Sequence, residues 1–492
     1  MRALLDARQS KEVDDYAIGI IGMHSPVLME KAALSCVSAL DMQDGEKLVS
    51  ICGSGNNGGD GIAIARILFN EGFETAVILT SDPEKMSEGC REQFYIAEKL
   101  GMQIYMYDDL TEEGGAEGFL SFLNEYDVIV DAVFGTGLSR DVNDRYRAMF
   151  ECINEADAYI LSVDVPSGIN ASDGRLMGSA VTADMTVTMG YDKIGLCMYP
   201  GRFYAGEKII ADIGFPYDSL SEVSGKIVYM TDANDKFPIL IGRDPEGNKG
   251  TFGHTLVIAG SKGMAGAAFL CALSAYRAGT GLVRILTEES NREVLQTLIP
   301  EAIVDTYDGE QPDLAFIAEK LKWADSVAIG PGIGTSDTAA AILNKVLTSY
   351  KGQLTLDADA LNLISRKKTL LKKLKDRAVI TPHVGEMARL TGRSIEDIKA
   401  DTIGAAAAFS DQYGLCCVLK DAISVIAMDG GVWLSESGCD GMATGGSGDV
   451  LTGVIAGLIA QGYDTGAAVR AAVYAHGEAG TLASEEKGAH AV

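Results

Sequence analysis

Short apolar runs alternate with longer stretches of helical periodicity along most of the chain. In the first half, Lys47 to Cys52 reads as a buried strand, followed by a glycine-rich loop and a helix to about Glu71, closed by Gly72. Thr75 to Leu79 is a strand, a helix runs to Leu100 with Gly101 after it, and Gln103 to Tyr107 is another strand. Val128 to Ala132 and Tyr159 to Val163 follow, with a polar helix between them. Upstream, Ser25-Pro26 predicts a helix start, with Ser25 as cap and Pro26 at the first helical position. Uninterrupted apolar strands between helices are the mark of a sheet covered on both faces. The pattern predicts a doubly wound, Rossmann-like α/β/α sandwich with right-handed crossovers.

The pattern loosens between Ile213 and Gly250, where Pro216, Pro238 and Pro245 sit among polar residues. A domain boundary near 222–228 is expected there. A second α/β alternation then begins. Its strands are Thr255 to Ala259, Leu282 to Leu286, Ser326 to Ile329, Leu354 to Asp357, Val379 to Thr381 and Leu415 to Leu419. Ser424 to Met428 and Gly431 to Leu434 form a hairpin around Asp429-Gly430, and Val450 to Gln461 is a helix. No internal repeat or low-complexity segment interrupts this plan.

Length and composition agree with two domains. A chain of 492 residues exceeds one ordinary core and suggests two of roughly 200–270 residues. With 47% hydrophobic residues, 7% aromatics and 57 glycines, it suits an α/β protein rich in tight turns. A net charge of −28 argues against a general nucleic-acid or anionic-membrane surface. The nine cysteines show no C-x-x-C pair, so buried reduced thiols in a cytoplasmic protein are expected rather than structural zinc. The N-terminus lacks an apolar signal core, and no run of about 18 apolar residues occurs. The chain stops at Gly488 to Val492 without a helix stop signal, which suggests a short missing tail.

Candidate chemistry gathers where strands end. Ala443 to Gly453 reads A-T-G-G-S-G-D-V-L-T-G, with Gly445, Gly446 and Gly448 ahead of Asp449 and a helix after it. Free N–H groups and the helix dipole make such a loop an anion site. Asp449 is either a dipole-favoured residue of the first helical turn or a base placed where a phosphate and a hydroxyl meet. In the first half, three loops end strands: Asn56 to Gly61 (N-N-G-G-D-G), Asp131 to Asp141, and Asp164 to Gly168. Any one acidic residue could cap a loop. Together, with Asn57 and Ser167 as neutral oxygen donors, they suggest a hard-cation and substrate site. Gly53-Ser-Gly55 continues as Asn-Asn-Gly58 with no acidic residue awaiting a ribose, so a dinucleotide fingerprint is set aside.

The blocks N-N-G-G-D-G from Asn56, V-D-A-V-F-G-T-G from Val130 and V-D-V-P-S-G from Val163 resemble the NAD(P)H-hydrate epimerase (YjeF N-terminal) family across residues 1–222. That resemblance implies K⁺ held by Asn57, Asp131 and Ser167. It implies substrate contacts from Asn56, Asn57, Gly58, Gly59 and Asp60, and from Gly135, Thr136, Gly137, Leu138, Ser139, Arg140 and Asp141. Asp164 would bind substrate and act as the acid/base group that lets the 6-hydroxyl of a damaged nicotinamide ring switch between R and S.

Residues 228–492 resemble the ribokinase-like fold, and more narrowly the ADP/ATP-dependent NAD(P)H-hydrate dehydratase family. The blocks are G-H-T-L-V-I-A-G-S from Gly253, M-A-G-A-A from Met264, G-P-G-I-G from Gly330, T-P-H-V-G-E from Thr381 and the Asp449 loop. By resemblance, Ala265, Gly332, His383 and Asp449 would contact the hydrate. Lys420, Asp421, Ala422, Ile423, Ser424, Gly445, Gly446 and Gly448 would contact the nucleotide. His383, after a proline, also reads as a plain turn residue. The resemblance implies Mg²⁺, ADP or ATP as co-substrate, catalysis by Asp449, and a homo-oligomer. The whole then reads as a bifunctional repair enzyme that epimerises NADH and NADPH hydrates and dehydrates the S form. Rivals are a kinase of a small vitamin precursor, which the same glycine loop would serve, and a non-catalytic scaffold, which the retained Asp60, Asp131 and Asp164 disfavour.

Overall fold

A computed structural model describes residues 1–112, 114–232, 235 and 244–491. The chain divides into two compact units, Ala3–Ile227 and Val228–Val492, the latter taking in Met1–Arg2. Pro238 of the predicted boundary region lies outside the described residues.

The first unit holds a seven-stranded parallel sheet. Its order is Gln103–Met106, Glu74–Leu79, Lys47–Cys52, Val128–Ala132, Tyr159–Val163, Met185–Met189, Glu207–Ala211. Alternate residues of one strand serve opposite cores. Leu48 and Cys52 pack with Ile62, Leu68 and Ala33 from two helices, while Val49 and Ile51 pack with Phe119, Phe150 and Ile153 from others. This double burial explains the unbroken apolar strands in the sequence. The order reverses between Lys47–Cys52 and Val128–Ala132, the switch point where doubly wound sheets open a crevice at their carboxyl ends. A short parallel pairing joins Arg2–Leu5 to Asp192–Lys193.

The second unit has seven parallel strands in the order Ile303–Tyr307, Leu282–Glu288, His254–Ile258, Ser326–Ile329, Gln353–Leu356, Ala378–Ile380, Cys416–Leu419. The sheet continues through the antiparallel hairpin Ser424–Met428 and Gly431–Ser435, beside which Val228–Thr231 runs parallel. Asp429 (φ 48°) and Gly430 (φ 78°) turn that hairpin in the left-handed conformation a two-residue loop requires. The switch point lies between His254–Ile258 and Ser326–Ile329.

Several local expectations need correction. N-N-G-G-D-G is not a loop: the helix begins at Asn56 and runs to Glu71, with Gly55 as its cap. Its glycines serve contact, since a Cβ at Gly58 would meet Gly53 O at 1.9 Å and one at Gly61 would meet Ala132 Cβ at 2.4 Å. Helix Ser25–Leu40 is capped by His24, with no side-chain cap bond, and Ser25 is already helical. Met185–Met189, Glu207–Ala211, Ile303–Tyr307 and Val228–Thr231 are strands that periodicity did not flag. In Met185–Met189 the threonines disguise a core strand. Thr186 and Thr188 are fully buried because their hydroxyls donate to Ala205 O (2.7 Å) and Asp164 Oδ1 (3.2 Å). All nine cysteines are free; eight are buried and Cys439 is half-buried. Among the described residues no helix is long and apolar enough to cross a membrane.

Helix Ser447–Ala460 packs against helix Ala265–Arg277 through Gly453, where a Cβ would stand 2.0 Å from Ser274 Oγ and 2.1 Å from Cys271 O. Because a backbone carbonyl cannot swing aside, Gly453→Ala is expected to destabilise the second unit by about 1–3 kcal/mol. Thermal melts followed by circular dichroism check this; an unchanged midpoint would mean the helices can slide apart freely.

Candidate active sites

In the first unit the polar groups collect at the carboxyl rim of the sheet. Asp131 ends the strand Val128–Ala132 and is fully buried. Its carboxylate accepts from Ser162 Oγ (2.8 Å), Ser167 N (2.8 Å), Ser167 Oγ (2.5 Å) and Val133 N (3.3 Å). Burial raises its pKa above the usual carboxylate range, and the Ser167 and Ser162 donors oppose this. Among the described residues no cationic side chain pairs with it. Ser167 Oγ also accepts from Phe134 N at 2.8 Å. Nearby, Asn57 carries a buried Nδ2 without a hydrogen-bond partner, and its Oδ1 would meet a Cβ at Gly135 at 3.0 Å.

Asp164 follows Tyr159–Val163 at φ 65°, a left-handed conformation that Asp tolerates better than most residues. The turn carries its carboxylate to Lys193, with Nζ 2.7 Å from Asp164 Oδ1. Lys193 is almost wholly buried and also donates to Met189 O (2.8 Å) and Tyr191 O (3.0 Å). Met189 N donates to Asp164 Oδ1 at 3.1 Å. A buried ammonium with a carboxylate and two carbonyls is fully satisfied, which is what its burial demands.

Asp164 and Lys193 line a cavity with Thr136, Asp14, Tyr191 and Phe215. The last two rings lie nearly parallel, 6° between planes and 6.2 Å between centroids. Half-buried Asp60 has its pKa pushed well up, first by burial and then by Asp164 and Asp14. Of the sequence candidates, Thr136 and Asp164 border the cavity directly. Gly58 and Gly59 are buried in helix packing, while Gly137, Ser139, Arg140 and Asp141 are exposed. Gly135 and Leu138 are half-buried. Asn56 is exposed and accepts from Ser87 Oγ at 2.7 Å. Sequence reading missed Lys193 and Asp14. The available signal for Lys193 was its place just beyond the disguised strand Met185–Met189; Asp14 carried no local signal.

In the second unit, the turns after the switch-point strands bond to each other. Gly260 N donates to Pro331 O (2.9 Å), and Ser261 N (2.6 Å) and Oγ (2.9 Å) both donate to Gly332 O. Ala265 begins the following helix, and Gly332 is buried against Ala267. Asp357, after strand Gln353–Leu356, is 2% exposed. Lys420 Nζ donates to its Oδ1 and Thr452 Oγ1 to its Oδ2, each at 2.9 Å. The next residue, Ala358, sits at φ 48°, a strained position for a residue with a Cβ.

Asp449 occupies the first turn of helix Ser447–Ala460, capped by Gly446 at φ 99°. Burial, then Asp357, pushes its pKa up to about 6, with Lys420 opposing. Gly445 has open space where a Cβ would stand, and a Cβ on Gly448 would lie 3.1 Å from Lys420 Nζ. His476 Nε2 is 3.5 Å from Ser447 Oγ, and its pKa is pulled down to about 4, chiefly by burial.

His383 has a structural duty. It caps helix Val384–Thr391, its Nδ1 accepting from Gly385 N at 3.0 Å, while Glu386 Oε2 accepts from His383 N. Its side chain is 55% exposed, so the ring's other edge is open to a ligand. Buried Glu386 has a raised pKa, from burial and then from Asp357. Asp421 and Ala422 are exposed, Ser424 is half-buried, and Ile423 is buried, leaving only its backbone for a ligand. Asp357, Thr452, Glu386 and His476 were not singled out from the sequence.

The family described as YjeF-related protein N-terminus matches residues 25–195, and that described as NAD(P)H-hydrate dehydratase matches residues 255–492. A bifunctional NAD(P)H-hydrate repair enzyme from Thermofilum pendens is 37% identical, covering 97% of this chain and 91% of its own. Those from Moorella thermoacetica (33%, covering 99% and 94%) and Escherichia coli (33%, covering 92% and 83%) are similar over comparable spans. A solved ADP/ATP-dependent NAD(P)H-hydrate dehydratase from Bacillus subtilis, co-crystallised with ATP/Mg²⁺, aligns with 51% of this chain and 88% of its own, at 33% identity and a TM-score of 0.44. The chain belongs to the bifunctional NAD(P)H-hydrate repair enzyme family, with an epimerase-type unit followed by a dehydratase-type unit.

Proposed function

We propose that the first unit interconverts the R and S forms of NADH or NADPH hydrate at Asp164, and that the second dehydrates the S form at Asp449 with ADP or ATP as co-substrate. The observation that carries this is the pairing, in one chain, of a cavity holding an Asp164–Lys193 ion pair with an Asp449 at a glycine-fed helix N-terminus. One unit supplies the epimer that the other consumes.

K⁺ fits the first site. Asn57, Asp131 and Ser167 offer oxygens of the kind a hard cation takes, and Asp131 is a buried charge without a cationic partner among the described residues. Bound there, the ion would neutralise Asp131 and fix the start of the Asn57 helix against the Ser167 loop. In the cavity of Thr136 and Asp14, Lys193 holds Asp164 in place for proton exchange with the 6-hydroxyl, while Thr136 lines the substrate's path.

In the second unit, Asp449 takes the proton of the 6-hydroxyl as that oxygen receives the terminal phosphoryl group of ADP. The ring nitrogen then expels phosphate, and loss of a proton from C5 restores the dihydropyridine, leaving AMP. The N–H groups of the Gly445–Gly448 turn and the helix dipole meet the phosphate charge, and Lys420 lies beside that turn. Mg²⁺ would travel with the nucleotide phosphates and lower their charge. Glu386 and Asp449 are the carboxylates near Asp357–Lys420 suited to its water shell. His383 and Gly332 contact the hydrate in this reading; residues 420–424 contact the nucleotide. A cytoplasmic setting suits nine free thiols, and homo-oligomeric assembly belongs to the same reading.

Four measurements test it. Incubation with mixed R and S NADH hydrate, ADP and Mg²⁺ should restore the NADH absorbance completely, with AMP and phosphate released in step. Recovery of only the S fraction would remove the epimerase, and a stable phosphorylated product would point to a kinase. Lys193→Met leaves Asp164 without its cation, so epimerase kcat should fall at least about 100-fold, while dehydration of pure S hydrate persists; wild-type epimerisation would contradict the assignment. Asp449 must be deprotonated to act as a base, so dehydration should be full above its pKa of about 6 and fall as pH drops through that value. Asp449→Asn should reduce dehydration by about 10²–10⁴-fold without slowing epimerisation, and a variant of normal rate would exclude Asp449 as the base.

A further inference from the structure

We infer that Asp14 is the second acid/base group of the epimerase cavity, acting on the nucleotide's damaged ring together with the Asp164–Lys193 pair. The inference rests on the epimerase reading above and deepens it by adding a catalytic residue. Asp14 stands near the end of helix Ala7–Asp15, an element that no glycine or phosphate motif marks. That helix is fixed at its start by a capping box between Asp6 and Gln9, and Gln9 Nε2 donates to Ser224 O and Lys226 O. The fixed helix places Asp14 on the same cavity as Thr136, Asp164 and Lys193.

Among the described residues Asp14 has no hydrogen-bond or ion-pair partner; it is exposed and borders the cavity, where a ligand can reach it. Every other charged group of the cavity has a partner: Asp164 has Lys193, Thr188 and Met189 N, and Lys193 has Asp164 and two carbonyls. The charged groups that face Asp14 are Asp164, Lys193, Asp15 and Asp60. Displacement of water by the surrounding protein, then the charge of Asp164, raises Asp14 to about 6, with Lys193 opposing. A carboxyl with that value exchanges protons readily near neutrality.

A hemiaminal carbon can invert by opening its ring, and this needs one group to take a proton and another to give one. Asp164 accepts the proton of the 6-hydroxyl. The bond between C6 and the ring nitrogen breaks, its electron pair moves to nitrogen, and Asp14 gives its proton to that nitrogen. The open form carries an aldehyde. Rotation about the C5–C6 bond turns the other carbonyl face toward nitrogen, and closure returns one proton to Asp14 and one from Asp164 to the new hydroxyl. Atoms, electrons and protons balance without a co-reactant. A single carboxylate could not serve both atoms at once, which is why a second group on the same cavity matters.

The test uses the full chain with R hydrate and no ADP, following the appearance of S hydrate above its spontaneous rate from pH 5.5 to 8.5. Wild-type kcat is expected to fall as pH rises through about 6 and Asp14 loses its proton. Asp14→Asn should lower kcat by about 100-fold, leave KM nearly unchanged and flatten that limb. Asp14→Glu, which keeps the proton on a longer arm, should recover part of kcat together with the limb. Dehydration of pure S hydrate in the same preparations reports intact chain and should be unchanged. Wild-type kcat and profile in Asp14→Asn would overturn the inference. So would a slow Asp14→Asn that keeps the wild-type limb, since that marks a structural role. A wild type that epimerises no faster than background would instead overturn the epimerase reading itself.

Discussion

A parallel sheet covered on both faces leaves a charge almost nowhere to go except the ends of its strands. In the first unit, Leu48 and Cys52 face one core while Val49 and Ile51 face the other, so the middle of each strand must be apolar. Charged groups are forced to the carboxyl rim, where backbone N–H groups and turns can receive them. Asp131, Asp164 and Asp357 all occupy that rim. The chemistry assigned to the protein depends on this confinement, because it gathers acids that the sequence scatters over long distances.

Both units then meet the same difficulty in the same manner. A carboxylate that loses water is costly unless it gains a cation or several donors. Lys193 stands 2.7 Å from Asp164 and Lys420 stands 2.9 Å from Asp357. Asp131 is held by four donors instead. Where no such partner is present the proton affinity rises, as at Asp14 and Asp449, both near 6. Each unit thus sets an acid held by an ammonium near one of raised proton affinity, Asp164 near Asp14 and Asp357 near Asp449.

Much of this was legible in the chain. The apolar runs at Lys47–Cys52, Val128–Ala132 and Ser326–Ile329 announced buried parallel strands, and Asp429-Gly430 announced a hairpin. The glycine run before Asp449 announced a helix N-terminus. The misses share a cause. Met185–Met189 looked half-polar because threonines can be buried once their hydroxyls find acceptors, and missing that strand hid Lys193 just beyond it. The glycines of N-N-G-G-D-G look the same on paper whether they open a loop or admit a close backbone, and the neighbouring Gly53 decides for the second. His383 read as a ligand or a turn residue, and its Nδ1 proves to cap a helix.

By itself the sequence determined the two α/β alternations, the strands' burial on both faces and the loops that end them, because these follow from local periodicity and turn chemistry. Only the tertiary structure decided which of those loops share a cavity and which charges pair. Asp14, Asp164 and Lys193 are far apart in sequence, yet line one cavity. The raised proton affinity of Asp14 depends on lost water and on the nearby Asp164 charge, which no window of sequence contains.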